Sequence, residues 1–218
     1  MLSKLFKRFG KQDDAPAGKS FLAHYDSTFA PHLGVRAGGF RAIFELLEQR
    51  AQSAGRPMLI VDTGGMRKFG NWADDGQSSY QWGEFAGMYD CEVHTVDPDP
   101  QAAQVVRAHC RPEVQAHSGD SVDFLYQMAR KNGGRQIDLL YLDSFDFDAE
   151  NPFPSAMHHV KELIAVRPCL HKGSIVAIDD NLYLADGGMT GRGYLAMQWF
   201  EHLNIAPVHR GHQLVWQL

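Results

Sequence analysis

Residues 137–143 read IDLLYLD, an almost unbroken apolar run that ends in an acid. Strands that are buried on both faces of a parallel sheet have this composition. Four further short runs also end in an acid: MLIVD at 58–62, CEVHTVD at 91–97, VQAHSGD at 114–120 and GSIVAIDD at 173–180. We therefore predict five strands, one at each of these positions.

Segments with a helical spacing of apolar residues separate these strands. Helices are predicted over residues 40–52, 80–88, 101–109, 122–131, 155–167 and 195–203. Alternating strands and helices form right-handed βαβ units, which place helices on both faces of a parallel sheet. Two closing strands, residues 206–210 and 213–218, are too close together for a crossover helix, so one runs antiparallel. The predicted fold is a single Rossmann-like, doubly wound α/β domain with a mainly parallel seven-stranded sheet and an antiparallel C-terminal strand.

The N-terminal region differs in composition from the rest of the chain. Residues 1–38 are predicted to be a basic tail and linker, and residues 39–218 the folded domain. The opening segment, MLSKLFKRFGK, alternates apolar and basic residues at helical spacing. This pattern is typical of weak contact with a membrane surface or a partner, or of a frayed terminus. No apolar run approaches the ~18 residues of a transmembrane segment.

Charge and cysteine content narrow the class of protein. The formal net charge of −5 argues against a nucleic-acid binder, which usually carries a basic face. The three cysteines, Cys91, Cys110 and Cys169, show no paired spacing, so neither a disulfide framework nor a zinc site is expected. We expect a cytoplasmic protein with a small-molecule partner, and the composition is compatible with a homo-oligomer.

Acids cluster where a ligand would bind. In an open parallel sheet the ligand lies outside the carboxyl ends of the strands. Every predicted strand of the parallel set ends there in an acid: Asp62, Asp97, Asp120, Asp143 and the pair Asp179–Asp180. The first turn, Asp62-Thr63-Gly64-Gly65, lets backbone approach a ligand closely. It lacks the GxGxxG pattern of dinucleotide-binding folds, which disfavours an NAD-dependent dehydrogenase.

The succession DTGG, VDPD, SGDS, YLDSF and IDDN resembles the class I S-adenosylmethionine-dependent methyltransferases, from about residue 59 onward. The resemblance implies S-adenosylmethionine as the cofactor. Its methionine end would lie at Asp62, Gly64 and Gly65, its ribose at Asp97, and its adenine at Gly119, Asp120 and Ser121. The first loop is longer than in that family. Two residues at its return into a helix, Gln77 and Ser78, are therefore predicted as substitute donors.

Asp143, Asp180 and Asn181 follow two neighbouring strands and offer hard oxygen ligands that suit Mg²⁺. This trio is similar to the metal site of catechol-type and macrocin-type O-methyltransferases, where the metal binds the acceptor's hydroxyls and lowers the pKa of the attacking one. The similarity implies Mg²⁺-assisted O-methylation of a small hydroxylated metabolite or sugar. The catechol type has a lysine base three residues after the first aspartate, where this chain has Asp146. The candidate bases are therefore His158, His159 and Asp146.

Other functions stay open at this point. One alternative keeps S-adenosylmethionine without the metal, as a metal-independent N- or carboxyl methyltransferase. Another is a nucleotide-binding or interaction module without catalysis. Residues 186–193 contain four glycines and are expected to form a mobile loop, in which Arg192 reaches an anionic acceptor, or a plain connector.

Overall fold

The computed structural model of the protein describes residues 20–131, 135–185 and 187–218. Seven strands form one sheet: β1 (Met58–Thr63), β2 (Cys91–Asp97), β3 (Val114–Ser118), β4 (Leu139–Leu142), β5 (Ile175–Ile178), β8 (His209–Arg210) and β9 (Leu214–Gln217). Their order across the sheet is β3-β2-β1-β4-β5-β9-β8. Strands β1 to β5 are parallel, whereas β9 pairs antiparallel with both β5 and β8. The predicted sheet is confirmed.

Helices cover both faces of this sheet. They are α1 (Phe21–Thr28), α2 (Ala37–Ala51), α3 (Trp72–Asp75), α4 (Ser78–Ala86), α5 (Pro100–His109), α6 (Ser121–Lys131), α7 (Phe153–Val166) and α8 (Tyr194–His202). Alternate residues of β1 point to opposite faces: Ile60 packs in the core with α1, α2, α4 and α5, and Val61 in the core with α6, α7 and α8. The doubly wound arrangement is therefore confirmed. Among the described residues, no helix is long and apolar enough to cross a membrane.

Residues 20–38, assigned to the tail and linker from the sequence, pack into the core. Ser20 caps α1, and its hydroxyl accepts a hydrogen bond from the Leu22 N–H at 3.1 Å. Phe21 and Tyr25 are fully buried, and the Phe21 ring lies 4.6 Å from that of Phe44. The short helix is held by these aromatic contacts, because eight residues have little helical stability of their own. The basic segment lies in residues 1–19, outside the described part, so its role remains a prediction.

The glycine-rich segment after β5 forms a second, two-stranded sheet. Strands β6 (Asn181–Tyr183) and β7 (Met189–Gly191) pair antiparallel, with Asn181 opposite Gly191. The chain therefore returns to the end of β5 instead of leading away from it. The expectation of a simple loop or connector is wrong for Met189–Gly191, which form β7, and Gly191 and Gly193 permit a close approach to Asp180 and Asn181.

A buried carboxylate connects the amino-terminal ends of two strands of the sheet to α2. Asp138 is fully buried and accepts hydrogen bonds from Arg50 Nε at 2.7 Å, from Arg56 Nη1 at 2.8 Å and from the Leu59 N–H at 2.9 Å. It thereby joins the end of α2 to the starts of β1 and β4. These contacts are made at the edge opposite the predicted ligand site.

We expect Asp138→Ala to lower the free energy of unfolding by about 2–4 kcal/mol, because it leaves two arginines and one N–H without their buried acceptor. Urea denaturation measures this change. The control is Asp26→Ala, which removes an exposed ion pair with Arg41 and should cost at most about 1 kcal/mol. Equal losses in the two variants would contradict a structural role for Asp138.

Candidate active site

The turn after β1 passes close to the ends of two other strands. Gly64 has φ +122°, and a Cβ there would lie 2.6 Å from the Asp143 carbonyl oxygen. A Cβ on Gly65 would lie 3.0 Å from Cβ of Asp97. Glycine is therefore required at Gly64, and a larger residue in place of Gly65 would have very little space. The predicted turn and the predicted ribose acid are brought together.

Asp97 ends β2 and is 3% exposed. Its Oδ2 accepts the Gly65 N–H at 2.9 Å, and its Oδ1 accepts the Asp99 N–H at 2.8 Å. A carboxylate has about four acceptor positions, so two remain for hydroxyl donors. The carboxylate is thus held rigidly by backbone while it retains the capacity to bind a diol.

The loop after β3 lies beside Asp97. The Gly119 N–H donates to the Asp97 carbonyl oxygen at 3.1 Å. Asp120 caps α6 by accepting the Asp123 N–H at 2.9 Å. Ser121 begins α6, and its hydroxyl lies 2.9 Å from Nε2 of His158. The predicted adenine residues therefore adjoin the predicted ribose residue at one edge of the sheet.

Asp62 and Ser78 lie beneath the glycine turn. Asp62 is fully buried, and its Oδ2 accepts hydrogen bonds from the hydroxyls of Ser78 at 2.9 Å and Ser79 at 3.0 Å. Its Oδ1 is buried without a partner in the described part of the chain. Burial raises the pKa of Asp62 to about 8, although the two serine hydrogen bonds oppose the shift. The site therefore contains a buried carboxyl group whose pKa lies far above that of an ordinary aspartate.

Gln77 closes the long first loop. Its side-chain amide donates to the Lys68 carbonyl oxygen at 2.9 Å and to Asp75 Oδ2 at 3.0 Å, and its Oε1 accepts the Gly70 N–H at 2.9 Å. Gln77 precedes α4 with a left-handed backbone, at φ +55°. The side chain is thus engaged within the loop. Contact with a cofactor remains a prediction.

His158 lies on the side of the predicted cofactor residues. Besides Ser121, its Nε2 lies 3.7 Å from Oε1 of the buried Glu162, which also accepts the Ser144 hydroxyl at 2.7 Å. The neighbouring His159 is fully buried, and burial lowers its pKa to about 4. This cluster joins α7 to the loops after β3 and β4. The structure does not bring His158 to the acid-lined crevice described next.

An open crevice lies at the carboxyl ends of β4 and β5. It has a volume of about 470 Å³ and is lined by Arg67, Asp146, Phe147, Asp180, Leu182, Arg192 and His212. Asp146, one of the predicted bases, is exposed here and forms an ion pair with Arg67 at 3.1 Å. The crevice adjoins the glycine turn, because Arg67, which follows Gly65 by two residues, lines it.

Two buried arginines bind the acids of the crevice. Arg192 donates from Nη1 to the carbonyl and carboxylate oxygens of Asp143, and its Nη2 forms an ion pair with Asp180 Oδ2 at 3.0 Å. Arg36 donates from Nε to Asp179 Oδ2 and from Nη2 to Asp180 Oδ1, both at 3.0 Å. Burial alone would raise the pKa of Asp180. The His212 hydrogen bond and both arginines outweigh it and lower this pKa to about 2.

Asn181, the third predicted metal ligand, is engaged with backbone. Its amide nitrogen donates to the carbonyl oxygens of Ile178 at 2.8 Å and His212 at 3.1 Å. Its Oδ1 accepts the Gly193 N–H at 2.8 Å, and the residue is 2% exposed. Asn181 thus links the turn that contains Asp180 to Gly193, which follows the second strand of the β6–β7 hairpin.

His212 is a functional candidate that the sequence analysis missed. Its Nε2 lies 2.8 Å from Asp180 Oδ1, and its side chain is 16% exposed to the crevice. The residue precedes β9, which runs antiparallel to β5 with Leu214 opposite Ile178. The start of β9 therefore lies beside the end of β5. That antiparallel arrangement was predicted, so it was the signal that could have identified His212.

Comparisons with known proteins agree with this geometry. A family model described as a methyltransferase domain matches residues 73–181, half of the chain. No curated protein matches the chain. The apo structure of CalS11, a TDP-rhamnose 3'-O-methyltransferase of calicheamicin biosynthesis, is 20% identical with a TM-score of 0.51, covering 94% of this chain and 89% of that one.

A second solved structure, the mycinamycin-pathway methyltransferase MycE in complex with Mg, SAH and mycinamycin VI, is 15% identical with a TM-score of 0.53. The match covers 91% of this chain and 53% of that one. At these identities the two structures show a shared fold. Together with the family match, the sheet order and the glycine turn beside Asp97, this places the chain in the methyltransferase-domain family, as an S-adenosylmethionine-dependent methyltransferase.

Proposed function

We propose that this protein methylates a hydroxyl group of a small hydroxylated metabolite or sugar. The observation that carries the proposal is the His212–Asp180 pair, which faces an open crevice next to the glycine turn. A neutral hydroxyl is a poor nucleophile until its proton is removed, and a histidine held by a carboxylate performs this step. CalS11, described as a sugar O-methyltransferase, and MycE, seen with mycinamycin VI, support an acceptor of this class.

The residues around the glycine turn fit S-adenosylmethionine. The absence of Cβ atoms at Gly64 and Gly65 keeps the turn close to Asp97 and Asp143, and the free acceptor positions of Asp97 suit two ribose hydroxyls. Gly119, Asp120 and Ser121 would border the adenine. When bound, the cofactor supplies an electrophilic methyl group on its sulfonium sulfur. The protein orients the acceptor hydroxyl toward it and accepts its proton.

His212 is the proton acceptor in this proposal. A carboxylate can only accept a hydrogen bond, so the hydrogen shared with Asp180 must belong to Nε2 of His212. In the neutral ring this leaves Nδ1 with its lone pair, ready to take a proton from the acceptor. Asp180 then stabilises the positive imidazolium that forms. Asp146 lies across the crevice, where its pairing with Arg67 suits a role in positioning the acceptor.

The predicted magnesium ligands do not fit Mg²⁺ as they are arranged. Arg192 bridges Asp143 and Asp180, and Asn181 donates and accepts only toward backbone. A second set of possible ligands, Asp179, Asp180 and His212, has its ligand atoms within 4.8 Å of one another, but Arg36 binds both of its acids. The proposed reaction therefore has no step that uses Mg²⁺.

We expect Asp97→Ala to weaken S-adenosylmethionine binding by about 1–3 kcal/mol, or roughly fivefold to 150-fold, because two ribose hydroxyls lose their acceptor. Isothermal titration calorimetry measures the affinity. The matched control is Asp99→Ala, which removes a neighbouring acid that only caps α5. Unchanged affinity in a folded Asp97→Ala protein would remove Asp97 from the cofactor site.

A further inference from the structure

A positively charged side chain of the protein, that of Arg192, lines the crevice. The Arg192 side chain is only 7% exposed, and its guanidinium spans the carboxylates of Asp143 and Asp180. These are two of the three residues predicted to bind Mg²⁺. We infer that Arg192 takes the place of the divalent metal in this chain, so that its methyl transfer needs no bound metal ion. The statement that methyl transfer needs no metal ion rests on the proposed function, whereas the statement that Arg192 occupies the metal position does not.

The backbone around Arg192 holds its side chain against the ends of β4 and β5. Arg192 lies between Gly191 and Gly193, at the return of the β6–β7 hairpin. A Cβ on Gly191, which has φ +125°, would collide with the Asp180 carbonyl oxygen, and one on Gly193 would lie 2.6 Å from Asn181 Oδ1. The Arg192 N–H also donates to the Asp180 carbonyl oxygen at 3.2 Å. Glycine is required at Gly191, and its small size at Gly193 also helps the hairpin to pack Arg192 against the ends of β4 and β5.

A guanidinium group suits this position better than the ammonium group of a lysine would. Arginine has five N–H donors in a planar fork and stays charged at all relevant pH values, so one group can bind two acids at once. Here Nη1 donates to Asp143, and Nη2 forms an ion pair with Asp180. Magnesium needs carboxylate oxygens at about 2.0–2.1 Å in octahedral geometry. Oδ1 of Asp143 and both carboxylate oxygens of Asp180 are already engaged by arginine or His212.

Local charge leads to the same conclusion. The guanidinium groups of Arg36 and Arg192 place two positive charges beside the side chains of Asp143, Asp179 and Asp180. A divalent cation would lie next to these two fixed cations in a partly buried site, where repulsion between like charges is weakly screened. The two arginines therefore reduce the attraction of the site for Mg²⁺.

The test is a titration with Mn²⁺, used as the probe in place of Mg²⁺, on the full chain by isothermal titration calorimetry and thermal shift. We expect no saturable binding by the wild type in the millimolar range. Arg192→Ala should bind one Mn²⁺ at least tenfold more tightly than the wild type, and adding Asp143→Asn should abolish that gain. Arg67→Ala is the matched control, because it removes an arginine from the same crevice without freeing Asp143 or Asp180, and it should gain nothing.

Saturable one-to-one Mn²⁺ binding by the wild type would overturn the inference, and this result needs no variant that might fail to fold. Equal affinities in wild type and folded Arg192→Ala would overturn it too. Turnover of the wild type in excess chelator should equal that without chelator. Failure of S-adenosylmethionine to bind would instead contradict the proposed function, so the two failures are distinguishable.

Discussion

Replacing His212 with glutamine is expected to lower kcat by a factor of about 10²–10⁴, the usual contribution of a general base. The glutamine side chain can still donate to Asp180 but cannot take a proton from the acceptor. Cofactor binding should be nearly unchanged, because His212 lies at the crevice and not beside Asp97. Steady-state kinetics with a hydroxylated acceptor, together with calorimetry for the cofactor, separates the two effects.

His158→Gln provides the comparison, since His158 was the base predicted from the sequence. Its hydrogen bond goes to Ser121, among the predicted adenine residues. We therefore expect this substitution to raise the KM for S-adenosylmethionine more than it lowers kcat. A large loss of kcat in His158→Gln, with His212→Gln close to wild type, would reverse the assignment of the base.

The second large effect concerns Asp62 and the pH dependence of stability. Its pKa is about 8 in the folded protein, against an ordinary value of 3.8. Between these two values the folded state holds a proton that the unfolded state has lost. The stability linked to this proton is complete below about pH 4 and is lost as the pH rises through 8. One pH unit corresponds to about 1.4 kcal/mol.

Asp62→Asn removes the titration while it keeps an oxygen to accept from Ser78 and Ser79. Relative to this variant, the wild type should lose about 1.4 kcal/mol of unfolding free energy per pH unit between pH 5 and 7.5. Urea denaturation of both proteins at several pH values gives the difference. A difference that does not change with pH, or one that favours the wild type at higher pH, would show that Asp62 is ionised in the folded protein.

The parts of the fold that repeat along the chain were predictable from the sequence. Apolar runs that end in acids mark β1 to β5, and the short connection before β9 indicates the antiparallel partner of β5. The same pattern brings Gly65, Asp97 and Gly119 together, since parallel strands place their carboxyl ends at one edge of a sheet.

The residues that complete the crevice were not predictable in this way. Arg36 reaches Asp179 across 143 positions of sequence, from a turn before α2 that has no distinctive pattern. Arg192 lies among glycines that indicate mobility in a sequence, whereas here they permit close packing. Asn181 has the right chemistry for a metal ligand, but its side-chain amide forms hydrogen bonds with backbone groups. These bonds depend on where the β6–β7 hairpin places Gly193, which the sequence does not indicate.

A crystal structure with bound S-adenosylhomocysteine tests the central claim most directly, because it shows both the cofactor site and its relation to the crevice. We expect the ribose hydroxyls to bind the Asp97 carboxylate and the sulfur to face the crevice between Arg67 and His212. We also expect Arg192 to stay between Asp143 and Asp180. A sulfur directed away from His212, or a ribose bound elsewhere than at Asp97, would contradict it.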